Sequence, residues 1–169
     1  MIANKDFQSA KQELIESFGT LGSNWGINKA MAKIHILLLI SPKPLSAEEI
    51  MEELSISRGN ANTNIRGLIE WGLIKKKLVP GERKEFFYSI KDLWEMLRII
   101  VTERKKREIQ PAVESLKNAI KIKKNNSDEI NEFLKITNGL LELVDQMNFC
   151  VNSLMKIEKN KFLRNLFLK

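Results

Sequence analysis

The 169-residue chain has one cysteine, one histidine and no long uninterrupted apolar run. Cys150 has no partner for an internal disulfide, and Cys150 and His35 together are too few for a structural zinc site, which takes four ligands. The first residues lack the basic-then-apolar layout of an export signal, and Lys33 and His35 interrupt the most apolar stretch, residues 30–40. We therefore expect a cytoplasmic protein that binds no metal or cofactor and does not contact a membrane.

Catalytic groups are also missing from the sequence. Nowhere do a nucleophile, a base and an orienting group occur together, and the carboxylates at positions 48, 49, 52 and 53 fit one solvated helix face. His35 stands between isoleucines, so we expect a core histidine with satisfied hydrogen bonds rather than a ligand. The chain is therefore not expected to be an enzyme.

Positive charge is concentrated in the middle of the chain. The net charge is +7; residues 55–107 carry 13 basic and 6 acidic side chains, whereas residues 1–54 carry 5 and 7, and residues 108–169 carry 10 and 8. Solubility is served by mixed signs, so a basic block inside a folded segment indicates a binding face. A polyanion is the expected partner.

Two capped helices with a tight turn between them are predicted for residues 46–72. Ser46 and Glu49 form a capping box, and apolar residues follow at helical spacing up to Leu54. Ser57 caps the next helix, whose apolar residues again share one side, and Gly72 ends it. This order is typical of a helix-turn-helix.

A β-hairpin should follow the second helix. The runs LIKKKLV and EFFYSI favour strands, and Pro80-Gly81 between them suits the two central positions of a type II turn. Helices are predicted before this segment, at 4–18 with a stop at Gly19 and at 28–40, joined by a flexible glycine-rich stretch, and after it, from 92 onward. The predicted fold class is mainly α with a small β-hairpin, a winged helix-turn-helix flanked by N- and C-terminal dimerisation helices.

The second helix would lie in the major groove of DNA, because its outer side carries groups that bond bases or phosphates. Asparagine suits adenine, arginine suits guanine or phosphate, and the threonine methyl suits thymine. The wing would grip the backbone with lysine and arginine. The candidate DNA-binding residues are Ser57, Arg58, Gly59, Asn60, Asn62, Thr63, Asn64, Arg66, Lys75, Lys76, Arg83 and Lys84.

Each of these features also has a simpler explanation. An asparagine-rich helix face is often plain solvated surface, and lysines beside a strand often protect a sheet edge. A winged-helix module that binds protein instead of DNA is a further alternative, because Phe86 and Phe87 offer an apolar hairpin surface. The occurrence of all the features in one order, within a basic segment, favours DNA.

Several short motifs in residues 25–112 resemble the GbsR branch of the MarR-type winged-helix transcriptional regulators. They are Trp25-Gly26-Ile27-Asn28, Ser41-Pro42 with Pro44-Leu45, Ser57 before Gly59-Asn60, Arg66, Trp71-Gly72, Arg83-Lys84 and Glu108. The resemblance implies a homodimeric bacterial or archaeal regulator whose recognition helices enter successive major grooves. Well-known members resemble choline sensors, but that ligand is not carried over to this chain.

The resulting hypothesis is a ligand-responsive repressor that binds a pseudo-palindromic operator as a homodimer. Residues 28–91 would form the DNA-binding domain, whereas residues 1–27 and 92–169 would form the dimer. The identity of a small-molecule effector is open. Its pocket is expected between the DNA-binding module and the helices outside it, where a ligand can change the spacing of two recognition helices.

Overall fold

The computed structural model describes residues 2–123 and 127–159, and the chain forms two compact units, residues 1–100 and 101–169. Most of the described residues are helical, and the strands form a small antiparallel sheet, so the predicted class, mainly α with a small β-hairpin, is confirmed. None of the helices in the described ranges combines the length and the apolar character needed to cross a membrane.

The first helix, α1 (Ile2–Asn24), is longer than predicted. Gly19 does not end it, and the expected flexible join is wrong, because Gly19 and Gly22 lie inside the helix where it packs against α2 (Lys29–Ile40). A Cβ atom on Gly22 would come within 2.5 Å of the Ala32 Cβ, and one on Gly19 within 2.8 Å of the Lys33 Cγ. The two glycines therefore allow a close helix crossing.

The helix-turn-helix consists of α3 (Ala47–Leu54) and α4 (Arg58–Trp71), and its predicted caps are confirmed. The Ser46 hydroxyl accepts from the Glu49 amide, while the Glu49 carboxylate accepts from the Ser46 amide at 2.7 Å. This hydrogen bond from Ser46 lowers the pKa of the Glu49 carboxyl. Ser55, with φ at 51°, turns the chain out of α3.

The wing is a hairpin of β2 (Ile74–Leu78) and β3 (Glu85–Ser89), in the predicted position. Ile74 lies opposite Ser89 and Leu78 opposite Glu85. At the tip, the Glu82 amide donates to the Val79 carbonyl at 3.0 Å, and the φ angle of +86° at Gly81 fits the type II turn. A third strand that the sequence did not reveal, β1 (Leu45–Ser46), pairs with β3 on the other side.

The core of the first unit lies between α2, the helix-turn-helix and the sheet. Buried side chains from each of these elements form one cluster, among them Ile34, Leu37, Ile50, Leu68 and Phe87. Ile15 joins this cluster from α1, so the N-terminal helix is part of the packed unit. One side of α4 packs in this core, and the other side is exposed to solvent.

The helices after the wing are α5 (Leu93–Arg104), a π-helical turn (Lys105–Ile109), α6 (Gln110–Ala119) and α7 (Asp128–Lys159). Asp92 caps α5 by accepting from the amides of Trp94 and Glu95, at the position where the sequence predicted a helix to begin. Pro111 stands in the first turn of α6, so the chain restarts there after the π turn. Within the second unit α6 packs against α7.

Candidate nucleic-acid interface

The exposed side of α4 carries the polar side chains that the sequence nominated for DNA contact. Ala61, Ile65 and Leu68 are buried, so the opposite side of the helix is fixed outward. The nominated residues on that side and at the N-terminus of the helix are all exposed: Ser57, Arg58, Gly59, Asn60, Asn62, Thr63 and Arg66. A rigid helix with an outward array of amide, hydroxyl and guanidinium groups has the form of a major-groove reader.

The N-terminal turn of α4 is ordered by its own side chains. The Ser57 hydroxyl accepts from the Asn60 amide at 3.3 Å, which caps the helix. Arg58 lies 3.7 Å from the Glu48 carboxylate of α3, and both side chains are largely exposed. Such a loose surface ion pair contributes little stability, so Arg58 can exchange it for a phosphate at small cost.

Asn64 corrects the sequence-based list, because it is only 6% exposed and does not present its side chain for direct base contact. The Asn64 Nδ2 donates to the Asn60 carbonyl at 2.8 Å and to the Asn60 Oδ1 at 2.6 Å. Helical spacing alone would have predicted that Asn64 is buried, since residues 61, 64, 65 and 68 form one buried stripe. The polarity of asparagine had suggested the outer side.

The wing places its cations at the surface. Lys75, Lys76, Arg83 and Lys84 are all exposed. Lys76 forms an ion pair across the hairpin with Glu85 at 2.8 Å, so part of its charge is compensated. The other three have no carboxylate partner within the described part of the chain. They are therefore available to phosphates, whose contacts position a protein on DNA without reading its sequence.

A cavity of about 280 Å³ within the first unit lies where the sequence analysis expected an effector pocket, between the DNA-binding segment 28–91 and residues outside it. Apolar side chains from α1, α2, α4 and the start of α5 line it almost completely. Leu68 and Trp71 contribute to it from the recognition helix. The cavity therefore adjoins the inner side of the helix whose outer side carries the DNA-binding candidates.

His35 lines this cavity, and its hydrogen bonding differs from the expectation. Its Nε2 atom is buried and has no hydrogen-bond partner among the described residues, so it is not the satisfied core histidine that the sequence favoured. Burial lowers the pKa of His35 to about 4, so the imidazole is neutral at pH 7. The only sequence signal was a polar residue within an apolar helix.

Comparison with known proteins finds one matching family model. The family model described as "MarR family" matches residues 25–85, a segment that includes the helix-turn-helix and most of the wing. Over these residues the chain is similar to the MarR family. The matched segment contains every DNA-binding candidate, since all of them lie between positions 57 and 84.

Two curated relatives are similar to this chain. It is 23% identical over 142 residues to the HTH-type transcriptional repressor GbsR of Bacillus subtilis, covering 83% of this chain and 77% of that protein. It is 39% identical over 51 residues to the HTH-type transcriptional regulator MmpR5 of Mycobacterium tuberculosis, covering 30% of this chain and 31% of that protein. The second match spans under a third of the regulator's length.

A solved structure supports the fold. The crystal structure of a transcriptional regulator superposes with a TM-score of 0.57 at 21% identity, covering 85% of this chain and 99% of the other. At this identity the likeness concerns the fold alone. It extends beyond the segment matched by the family model.

Proposed function

We propose that this chain acts in the cytoplasm as a homodimeric, ligand-responsive repressor that binds a pseudo-palindromic operator. The match of residues 25–85 to the MarR family supports a DNA-binding transcriptional regulator, and a protein-binding winged helix without DNA affinity is not favoured. One observation carries the mechanism: the inner side of α4 is anchored in the core while its outer side and the adjoining wing present polar and cationic groups to solvent.

Within this proposal the two surfaces have different tasks. Asn62, Thr63 and Arg66 contact base edges, whereas Lys75, Arg83 and Lys84 contact phosphates. The first set provides sequence preference, and the second provides affinity that depends on salt. Gly59 has open space around it, which permits close approach of a DNA backbone to the start of α4.

The helices outside the DNA-binding module offer apolar surfaces for a dimer. In α1 the exposed apolar residues include Phe7, Leu14, Phe18 and Leu21, whose spacing places them along one stripe, and exposed Trp25 directly follows the helix. A comparable stripe on α7 carries Phe133, Ile136, Leu140, Leu143 and Met147. Contiguous exposed apolar stripes of this kind mark interfaces, so we assign dimerisation to residues 1–27 and 92–169.

Selection of bound duplexes from a random pool, together with light scattering, tests this proposal. A two-fold dimer predicts an inverted repeat with half-sites about 10 bp apart and a solution mass of two chains at micromolar concentration. Recovery of unrelated sequences, or a mass of one chain in both free and bound states, would contradict the homodimeric operator-binding mechanism. Paired Leu140→Glu and Met147→Glu substitutions should shift the mass toward one chain.

The cavity beside His35 supports response to a ligand. Its volume suits a small organic molecule, and its apolar lining favours a molecule with little charge. The unpartnered Nε2 of a neutral imidazole gains a hydrogen bond from one polar group on that molecule, but does not neutralise a carboxylate. We therefore propose an uncharged, mostly apolar effector with a single hydrogen-bonding group.

Indole is a suitable probe because it is apolar and has one N–H donor. Saturating indole should raise the melting temperature of the wild type, as any ligand of the native state does, and should change DNA affinity because Leu68 and Trp71 of α4 line the cavity. His35→Phe fills the site and removes the hydrogen bond, so it should abolish both effects. Equal responses of wild type and variant would exclude this cavity.

His35 also predicts a pH dependence of stability. Because its pKa is lowered in the fold, the fold excludes the proton that the unfolded chain binds near pH 6.5. The contribution of His35 to the free energy of unfolding is complete above that pH. It declines as the pH falls from about 6.5 to about 4, by an amount on the order of 3 kcal/mol. Urea unfolding of wild type and His35→Phe across this range should show the extra decline only in the wild type.

A further inference from the structure

Asn60 and Asn64 lie one helical turn apart near the N-terminus of α4 and are linked by two hydrogen bonds. Asn64 is buried on the core side, whereas Asn60 is exposed on the outer side. The pair therefore connects the packed interior to the surface proposed to face DNA. Asn62, between them, is exposed and serves as an internal comparison.

The hydrogen bonds fix which end of each amide faces which way. A backbone carbonyl oxygen only accepts, so the Asn64 atom 2.8 Å from the Asn60 carbonyl is the amino nitrogen Nδ2. The same nitrogen lies 2.6 Å from the Asn60 side chain, and two amino groups do not bond, so the Asn60 atom there is the oxygen Oδ1. The exposed end of the Asn60 amide is consequently its NH₂ group.

We infer that Asn64 is a positioning residue that presets Asn60 as a hydrogen-bond donor toward the DNA major groove. With Oδ1 engaged by Asn64, Asn60 offers its NH₂ to acceptors such as guanine O6 and N7, adenine N7 or thymine O4, and rejects the cytosine amino group. The Ser57 cap holds the Asn60 backbone while Asn64 holds its side chain, so little freedom is lost on binding. The inference rests on the proposed function, because it assigns specificity within the same helix.

A double-mutant cycle on DNA tests the coupling. Asn64→Leu keeps a buried side chain of similar size but removes both hydrogen bonds, and Asn60→Ala removes the donor. Against the duplex selected by the wild type, each variant should lose about 10-fold discrimination at one shared base pair, and the double variant should lose no more. Asn62→Ala combined with Asn64→Leu should instead show independent losses.

A second variant tests the orientation without disturbing the buried position. Asn60→Asp keeps an oxygen for Asn64 to donate to, but replaces the outward donor by an acceptor. Its preference at the shared base pair should change toward cytosine, whereas Asn62→Asp, with the same added charge, should weaken binding without that change. An unchanged preference in Asn60→Asp, or retained discrimination in Asn64→Leu, would overturn the inference.

The free protein provides a readout that does not depend on DNA. In NMR spectra the Asn64 side-chain NH₂ should exchange slowly with water, and Asn60→Ala should accelerate that exchange. Rapid exchange in the wild type would overturn the inference on its own. Failure of the wild type to select any duplex, with a slowly exchanging Asn64, would instead locate the failure in the proposed function.

Discussion

Removing three positive charges from the wing is expected to weaken binding to every DNA sequence by a similar factor. Lys75, Arg83 and Lys84 are exposed and have no carboxylate partner in the described ranges, so their charges are available to phosphates. Each phosphate contact adds about 0.9 to the slope of log affinity against log salt, so the triple alanine variant should lose about 3 units of slope per protomer. The DNA affinity of the triple variant should fall furthest below that of the wild type at low salt.

The measurement is a titration of selected and scrambled duplexes over a salt series. Between about 50 and about 200 mM salt, the advantage of the wild type over the triple variant should shrink about 40-fold per protomer. Lys5, Lys117 and Lys135 are exposed lysines elsewhere, and their triple alanine variant removes the same charge. If both variants lose the same affinity, net charge rather than the wing explains the binding.

Leu68→Ala is expected to lower the free energy of unfolding by about 2–5 kcal/mol. Leu68 is 1% exposed on the inner side of α4, within the core that holds the recognition helix, so truncation loses buried surface and enlarges the adjacent cavity. The effect should appear as a lower urea midpoint with an unchanged slope. DNA binding should weaken with it, because α4 loses its anchor.

Leu78 provides the matched control for this substitution. It is the same residue type, but it stands at the end of β2 and is 79% exposed. Leu78→Ala should change the free energy of unfolding by no more than about 0.5 kcal/mol, as surface substitutions usually do. Similar losses in the two variants would contradict the assigned position of Leu68 in the core.

The features that the sequence predicted correctly depend on neighbouring residues. The Ser46–Glu49 capping box, the Ser57 cap and the Pro80-Gly81 turn each involve hydrogen bonds that span three or four positions. Their chemistry is therefore contained in short stretches of sequence. The same holds for the end of α4 at Gly72, which adopts a left-handed conformation with φ at 79°.

The features that the sequence missed depend on distant parts of the chain. Strand β1 exists because Leu45 and Ser46 pair with residues about 40 positions later, and two residues carry no strand pattern of their own. Gly22 lies inside α1 so close to α2 that a Cβ atom would meet Ala32, a contact that the local preference of glycine for turns does not reveal. The general place of the cavity was expected, but its lining, including the unpartnered Nε2 of His35, depends on several elements together.

The sequence predicted which side of α4 is exposed, but it did not predict the hydrogen bonds between the side chains of the candidate site. Polar residues opposite an apolar stripe correctly indicated the exposed side of α4. The burial of Asn64 could have been predicted by giving helical spacing priority over side-chain polarity. Its hydrogen bonds to Asn60 are visible only in the structure. The contacts of the exposed residues with DNA remain predictions.

The most direct test compares wild type with the Asn62→Ala, Arg66→Ala double variant in their preference for DNA sequence. The two proteins are titrated at physiological salt with the selected duplex and with a scrambled duplex of the same composition. We predict that the wild type strongly prefers the selected duplex, and that the variant retains its affinity for the scrambled duplex to a large extent but loses most of the preference. An undiminished preference in the variant would show that the exposed side of α4 does not read DNA.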